Sequence, residues 1–431
     1  MNAPRIWGKT HIILFTLLLM IGSAPRARSD QLQSLVESNT TFGLNLYGQV
    51  ASNPGNLFFS PYSISTCLAI TYAGARGDTA QEMAEVFGFG VDQEQFSSAF
   101  GELQQELEGA RKQEGIELEI ANALWTQKGY PFLPAFLKTA RGQYQANVNQ
   151  ANFITGANAA TAAINAWVAR QTQDKIEDIL PPGSLDPLTR LVLANAIYFK
   201  GAWTRPFNKA ETLTQPFNVS AGSQVDAPLM QKVDVLNYME TSDFQAVELP
   251  YGASSLSMLR QTGEGLESAK VVTPGSSPRL SMVILLPRQV DGYGQLEEEL
   301  SPAFLSSTLT QMTPHNVQVF LPRFTLQSSF LLADALAEMG MPDAFGPGAD
   351  FSGMDGTTNL FISQVFHKAW GEVDEEGTEA AAATVVTVTT SVVGPPPSTE
   401  VFRADHPFLF FIRDTQSGSV LFLGRLADPS N

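Results

Sequence analysis

Residues 375–397 read EEGTEAAAATVVTVTTSVVGPPP. After Glu379 no charge appears until Glu400, and positions 380–393 hold only Ala, Thr, Val and Ser. Such a run is rich in β-branched residues and free of charge, so it aggregates if it lies exposed as a strand. Gly377 before it and Gly394-Pro395-Pro396-Pro397 after it read as a hinge and a stop. A folded protein hides such a strand in a sheet. One that keeps it as a loop stores a strand it can still pair.

Outward from this stretch, the 431-residue chain has 44% hydrophobic and 16% charged residues, enough apolar material for a substantial core. The net charge of −17 argues against nucleic acid or an anionic membrane surface as partner. Residues 1–27 have the form of a secretory signal: Arg5 and Lys9, then an apolar run at 12–22, then small residues. A spanning helix needs about 20 apolar residues, more than this run supplies. The expected location is therefore secreted and extracellular, or periplasmic in a bacterium, with a mature domain at 28–431. The single cysteine, Cys67, excludes an internal disulfide and sits in an apolar helical pattern, which predicts a buried, inert thiol.

Apolar spacing predicts helices at 31–50, 61–75, 93–112, 158–173, 296–312 and 331–339. Ser60-Pro61 supplies an N-cap followed by Pro at the first helical position. Asp78 is expected to cap a short helix ending at Phe87. Strands are expected at 117–126, 190–199, 317–321, 324–326 and 359–373, and through most of 217–286. Residues 252–278, rich in Gly and Ser, read as a long surface loop. Segments 407–412 and 420–424 read as a closing hairpin. Helices cluster early and strands late without βαβ alternation. That pattern predicts one α+β domain with large, mostly antiparallel sheets.

Motifs for catalysis are absent: no G-x-S-x-G, H-E-x-x-H, phosphate loop or C-x-x-C occurs. No two histidines stand at metal-ligand spacing, so no metal and no cofactor is expected, and no enzyme activity. Asn39 and Asn218 begin glycosylation sequons.

Four blocks carry a family resemblance: NLFFSPYSI at 56–64, LANAIYFKGAW at 193–203, FHKA at 366–369 with VDEEGTEAAA at 373–382, and DHPFLFFIR at 405–413. In this order and spacing the chain resembles a serpin. The resemblance implies about nine helices around three sheets, mostly antiparallel, with an exposed reactive loop at about 375–398. It implies a suicide substrate: a serine protease cleaves the loop, and the freed loop inserts as a central strand and traps the acyl-enzyme. The hinge residues are then Glu375, Gly377, Thr378, Glu379, Ala380, Ala381, Ala382, Ala383 and Thr384. By position Ser60, Ser63, Asn195 and His367 resemble the shutter that gates the sheet. Trp203 resembles the breach where the loop enters, and Arg323 is expected to pair with Glu375.

The residues themselves fit insertion. An inserted strand buries alternate side chains, and the even-numbered set from Thr378 through Ala380, Ala382, Thr384, Val386 and Val388 to Thr390 is small or β-branched and uncharged. Glu379 falls on the odd face. Counting seventeen residues from Glu375 places the scissile bond at Ser391–Val392; a sixteen-residue spacing places it at Thr390–Ser391. No Lys or Arg lies between Glu375 and Ser398, which disfavours trypsin-like targets. Elastase-like or subtilisin-like proteases are favoured, chymotrypsin-like ones less so, and a cysteine protease is open. The chain is expected to act as a monomer. The alternative function is a non-inhibitory serpin acting as a binding, carrier or chaperone protein.

Overall fold

The computed structural model describes residues 30–52, 54–89, 92–252, 256–262, 265–271, 278–377 and 398–430. Helices come first: α1 (Asp30–Val50), α2 (Pro61–Tyr72), α3 (Gly77–Phe87) and α4 (Gln93–Arg111), with the short strand β1 (Leu57–Phe59) among them. Then come β2 (Ile116–Gln127), α5 (Pro134–Gln143), β3 (Asn147–Ala151), α6 (Phe153–Gln171) and β4 (Leu191–Gly201). Strands β5 (Leu213–Ser220), β6 (Ser223–Glu240), β7 (Phe244–Tyr251), β8 (Leu256–Thr262), β9 (Gly265–Val271) and β10 (Leu280–Pro287) follow. The rest is α7 (Tyr293–Glu299), α8 (Pro302–Gln311), β11 (Thr313–Pro322), β12 (Phe324–Leu331), α9 (Ala333–Glu338), α10 (Ser352–Asp355), β13 (Gln364–Val373), β14 (Thr399–Arg403), β15 (Phe408–Asp414) and β16 (Val420–Leu426). The fold is α+β, with these ten α-helices around three sheets.

One sheet has nine strands and one has five, ordered β12-β13-β4-β2-β3. In the five-stranded sheet β12–β13 and β4–β2 are antiparallel, whereas β13–β4 and β2–β3 are parallel. Every residue of α2 is buried, so the helix is enclosed on every side; the hydroxyls of its Ser65, Thr66 and Thr71 donate to carbonyls of the helix itself, which lets these polar side chains sit in the core. It packs against β2 and β4 on one side and β16 on the other. The Ser60 side chain accepts from the Ser63 N–H at 3.0 Å, and Pro61 fills the first turn, so the cap predicted from Ser-Pro is present. On the opposite face of the sheet, α6 covers Ala121, Ala123, Ala194 and Ala196, a floor of small residues that lets the helix approach closely.

Several expectations need correction. Residues 252–278 are not simply a loop: β8 and β9 pair antiparallel from Leu256↔Val271 to Thr262↔Gly265 as a sheet of their own. The ladder is local, and its Gly- and Ser-rich composition hid it. The helix expected at 296–312 is two helices divided before Pro302, where Ser301 caps the second through the Phe304 N–H at 3.1 Å. Asp78 lies inside the first turn of α3 and does not cap it; the cap position is Arg76. The strand expected from 359 begins at Gln364. Asn39 is buried on α1 with neither amide atom bonded, so its sequon offers no accessible acceptor in the folded chain. Cys67 is buried, and desolvation pushes its thiol up to about 12, out of reach of ordinary thiolate chemistry.

Candidate functional site

The site grows from the end of β13. After Val373 the carboxylate of Asp374 turns back and accepts from the Glu376 N–H at 3.0 Å and the Gly377 N–H at 2.8 Å. This tight turn folds the chain over its neighbour β4. Gly377 has φ +72°, and a Cβ there would collide with the backbone of Gly201 and Trp203. Only glycine combines that left-handed conformation with so close a backbone approach.

The segment after β4 holds this turn. The Trp203 indole N–H donates to Asp374 O at 2.8 Å, the Trp203 backbone N–H to Glu376 O at 3.2 Å, and the Phe207 N–H to Glu375 O at 2.8 Å. Trp203 is itself stacked on Tyr251, ring centroids 4.3 Å apart at 13°. Below the rings, Lys232 donates to Arg205 O at 2.7 Å and lies 4.6 Å from the Phe207 ring centroid. Burial lowers its pKa to about 8 against the opposing pull of Asp234.

Glu375 is the charged anchor. Its carboxylate accepts from Arg323 at 2.6 Å and from the Thr212 hydroxyl at 2.7 Å. Burial raises its pKa, but the bonds from Thr212 and Arg323 outweigh that and hold it below the usual carboxylate range. Lys209 meets Glu376 at 2.5 Å. The pairing of Arg323 with Glu375 expected from the sequence is thus a short contact here, and Thr212, which sequence reasoning missed, completes it.

A second cluster sits in the middle of the sheet. Asn195 on β4 and His367 on β13 are register partners across the parallel pair. The Ser60 N–H donates to His367 Nε2 at 3.2 Å, so the ring proton is on Nδ1 and is donated to Asn195 Oδ1. The Asn195 amide N–H donates to Ser63 O at 3.0 Å, to Ser63 Oγ at 2.6 Å and to Asn122 Oδ1. Desolvation lowers the His367 pKa to about 3, so the ring is neutral at physiological pH. The structure therefore brings Ser60, Ser63, Asn195 and His367 together. It adds Asn122 from β2, which an isolated Asn in an alternating strand gave no reason to select.

Trp203, Arg323, Glu375 and Gly377 form the upper cluster, and the two clusters mark the same seam between β4 and β13. Thr378, Glu379, Ala380, Ala381, Ala382, Ala383, Thr384, Thr390, Ser391 and Val392 lie outside the described residues, as does the expected signal at 1–27. Among the described residues no three His, Cys, Asp or Glu side chains group as metal ligands.

Residues 37–429 match the family model described as serpin (serine protease inhibitor). The leukocyte elastase inhibitor of Xenopus tropicalis is 37% identical over 407 residues, covering 92% of this chain and all of that protein. The human leukocyte elastase inhibitor is 38% identical over 412 residues, with 92% and 100% covered. An uncharacterized serpin-like protein of Thermococcus kodakarensis is 36% identical over 404 residues, with 94% and 88% covered. Among solved structures, uncleaved ovalbumin superposes with a TM-score of 0.77 at 28% identity, covering 92% of this chain and all of ovalbumin. Serpin48 of the insect Tenebrio molitor gives 0.77 at 31% identity, with 94% and 100% covered. With its five-stranded sheet, its buried α2 and this match along nearly its whole length, the chain belongs to the serpin family of serine protease inhibitors.

Proposed function

We propose that this chain is a suicide-substrate inhibitor of serine proteases, trapping the acyl-enzyme as its cleaved loop enters the five-stranded sheet between β4 and β13. The observation that carries this reading is the parallel pairing of those two strands beneath the Asp374–Gly377 turn. A strand that leaves the top of β13 and runs back down lies antiparallel to both neighbours. It replaces one parallel ladder with two antiparallel ladders, which pair slightly more strongly per residue. The small, uncharged even-numbered residues from 378 to 390 suit the buried face of such a strand. The cluster around Asn195 and His367 then acts as the shutter and the cluster around Trp203 as the breach.

The target class follows from the uncharged residues around Ser391–Val392 or Thr390–Ser391. An elastase-like or subtilisin-like pocket accepts them, and the leukocyte elastase inhibitors among the relatives support the first. The chain acts as a monomer, and residues 1–27 direct it to the secretory route, or to the periplasm in a bacterium. Incubation with an elastase, subtilisin and chymotrypsin, followed by denaturing gels and mass analysis, tests the reading. A covalent complex with cleavage at one of the two bonds is expected. Cleavage with neither complex nor gain in heat stability contradicts it and favours a binding, carrier or chaperone role.

A further inference from the structure

Among the described residues, none covers one face of the nine-stranded sheet beside the start of β14. In its register Val233 of β6, Gln318 of β11 and Val401 of β14 form one row, and Val235, Asn316 and Thr399 form the next. Cross-strand partners point to the same side of a sheet. Val233, Val235 and Val401 are 59%, 63% and 51% exposed, while Lys232 and Asp234, on either side of Val233, turn inward. None of the six residues is charged in a chain of net charge −17. The Asn316 amide donates to the Thr399 hydroxyl at 2.6 Å and ties β11 to β14 within the second row. The next row is closed to partners, because the Arg403 guanidinium covers the Phe320 ring at 4.7 Å.

Size decides what can occupy this face. At strand spacings of about 4.8 Å, two rows across three strands present on the order of 150–200 Å². A stable partner needs about 800 Å² on its side, so this patch holds nothing alone. It adds to a partner already held close by. Val401 stands nine residues after Val392, at most about 30 Å of extended chain. A protease domain of about 220 residues has a radius of gyration near 17 Å and so spans that distance.

We propose that Val233, Val235 and Val401 form an accessory docking surface for the protease that engages the preceding segment, taking an apolar, uncharged rim beside the protease's cleft. This rests on the inhibitory reading above. It deepens that reading by placing part of target selection outside the cleaved residues, in the encounter that precedes cleavage.

The test replaces all three valines with threonine, which keeps β-branching and volume and removes an apolar methyl from each exposed side chain. Second-order inhibition rate constants and the inhibitor-to-protease stoichiometry are measured for wild type and variant against the protease that wild type traps. The expected result is a rate constant lower by on the order of tenfold with unchanged stoichiometry. A second variant, Val233→Lys with Val401→Lys, is expected to lower it further, and near-ultraviolet circular dichroism checks the fold of both. An unchanged rate with a trapping wild type overturns the surface and leaves the inhibitory reading standing. A changed stoichiometry with an unchanged rate also overturns it, because the valines then act on the sheet. If wild type dimerises at assay concentration and the variants do not, the occupant is a second copy and the proposal fails. If wild type traps no protease of the panel, the inhibitory reading falls and this surface with it.

Discussion

His367 of β13 and Asn195 of β4 face each other in the parallel register and are joined from ring Nδ1–H to amide oxygen. The bond spans the seam a new strand must enter. Inserting one strand moves its ends apart by about 4.8 Å, so the bond holds the sheet shut and breaks as the sheet opens. Its neighbours, the Ser60 N–H and Ser63, belong to α2 and its cap, so the buried helix and the seam are fastened at one place.

Acid should weaken this latch. The unfolded His takes up a proton near pH 6.5, whereas burial keeps the native ring neutral until about pH 3. Between those values the unfolded state binds more protons. Stability is therefore fully present above about pH 6.5 and falls with pH, by on the order of 4 kcal/mol near pH 3. Urea titrations across this range should show that slope in wild type and lose that component in His367→Asn. An identical slope in the two proteins would place the acid sensitivity elsewhere.

Arg323 and Glu375 predict an asymmetry. The Glu375 side chain is 2% exposed and that of Arg323 is 49% exposed. Removing Arg323 leaves a buried carboxylate with Thr212 as its remaining side-chain partner, whereas removing the carboxylate charge leaves an arginine that water can solvate. Arg323→Ala should therefore cost more than Glu375→Gln, about 2–3 against about 1 kcal/mol, by thermal or chemical unfolding. The reverse order would mean the pair is held chiefly by the arginine's other contacts.

Gly377 tests the turn itself. Gly377→Ala places a methyl against the Gly201 and Trp203 backbone at positive φ. The strain, about 1–3 kcal/mol, should lift the turn and break the Trp203 N–H to Glu376 bond. Hydrogen exchange at the Trp203 amide should speed up by tenfold or more. Protection equal to wild type would show that the turn has slack.

Thr378→Arg probes the even face of the 378–390 segment. The native fold should survive, because the change lies beyond the anchored turn. A charge entering a buried strand without a partner costs several kcal/mol, which delays insertion until the acyl-enzyme hydrolyses. The variant should be cleaved as a substrate. Persistent covalent complex on a denaturing gel would rule out that strand register.

How much was legible depended on where each constraint lay. Ser60-Pro61 declares a helix start by local chemistry, and α2 begins there. Ser301-Pro302 carries the same signal within a longer apolar pattern, where periodicity masked the break. The strand β3, NVNQA, was missed because its polar residues show no apolar alternation; it is held by the edge of β2. Helix α5 and strands β8 and β9 were likewise unread. Within the candidate site the family blocks picked out Ser60, Ser63, Asn195, His367, Trp203 and Glu375, and the resemblance added Arg323 by position; the structure gathers them at one seam. Asn122, Thr212 and Lys232 join through tertiary contact alone, so nothing in their local sequence singles them out. The roles of residues 378–392 rest on the sequence, since they lie outside the described residues.

Locking the seam between β4 and β13 tests whether the cleaved strand enters there. Ala196 and Lys368 are register partners across it, at a spacing that suits a disulfide. With Ala196→Cys and Lys368→Cys in place, and Cys67 buried and unreactive, the oxidised protein should be cleaved without trapping its protease. Reduction should restore the covalent complex to the wild-type level. Full trapping by the oxidised, verifiably cross-linked protein would contradict entry at this seam.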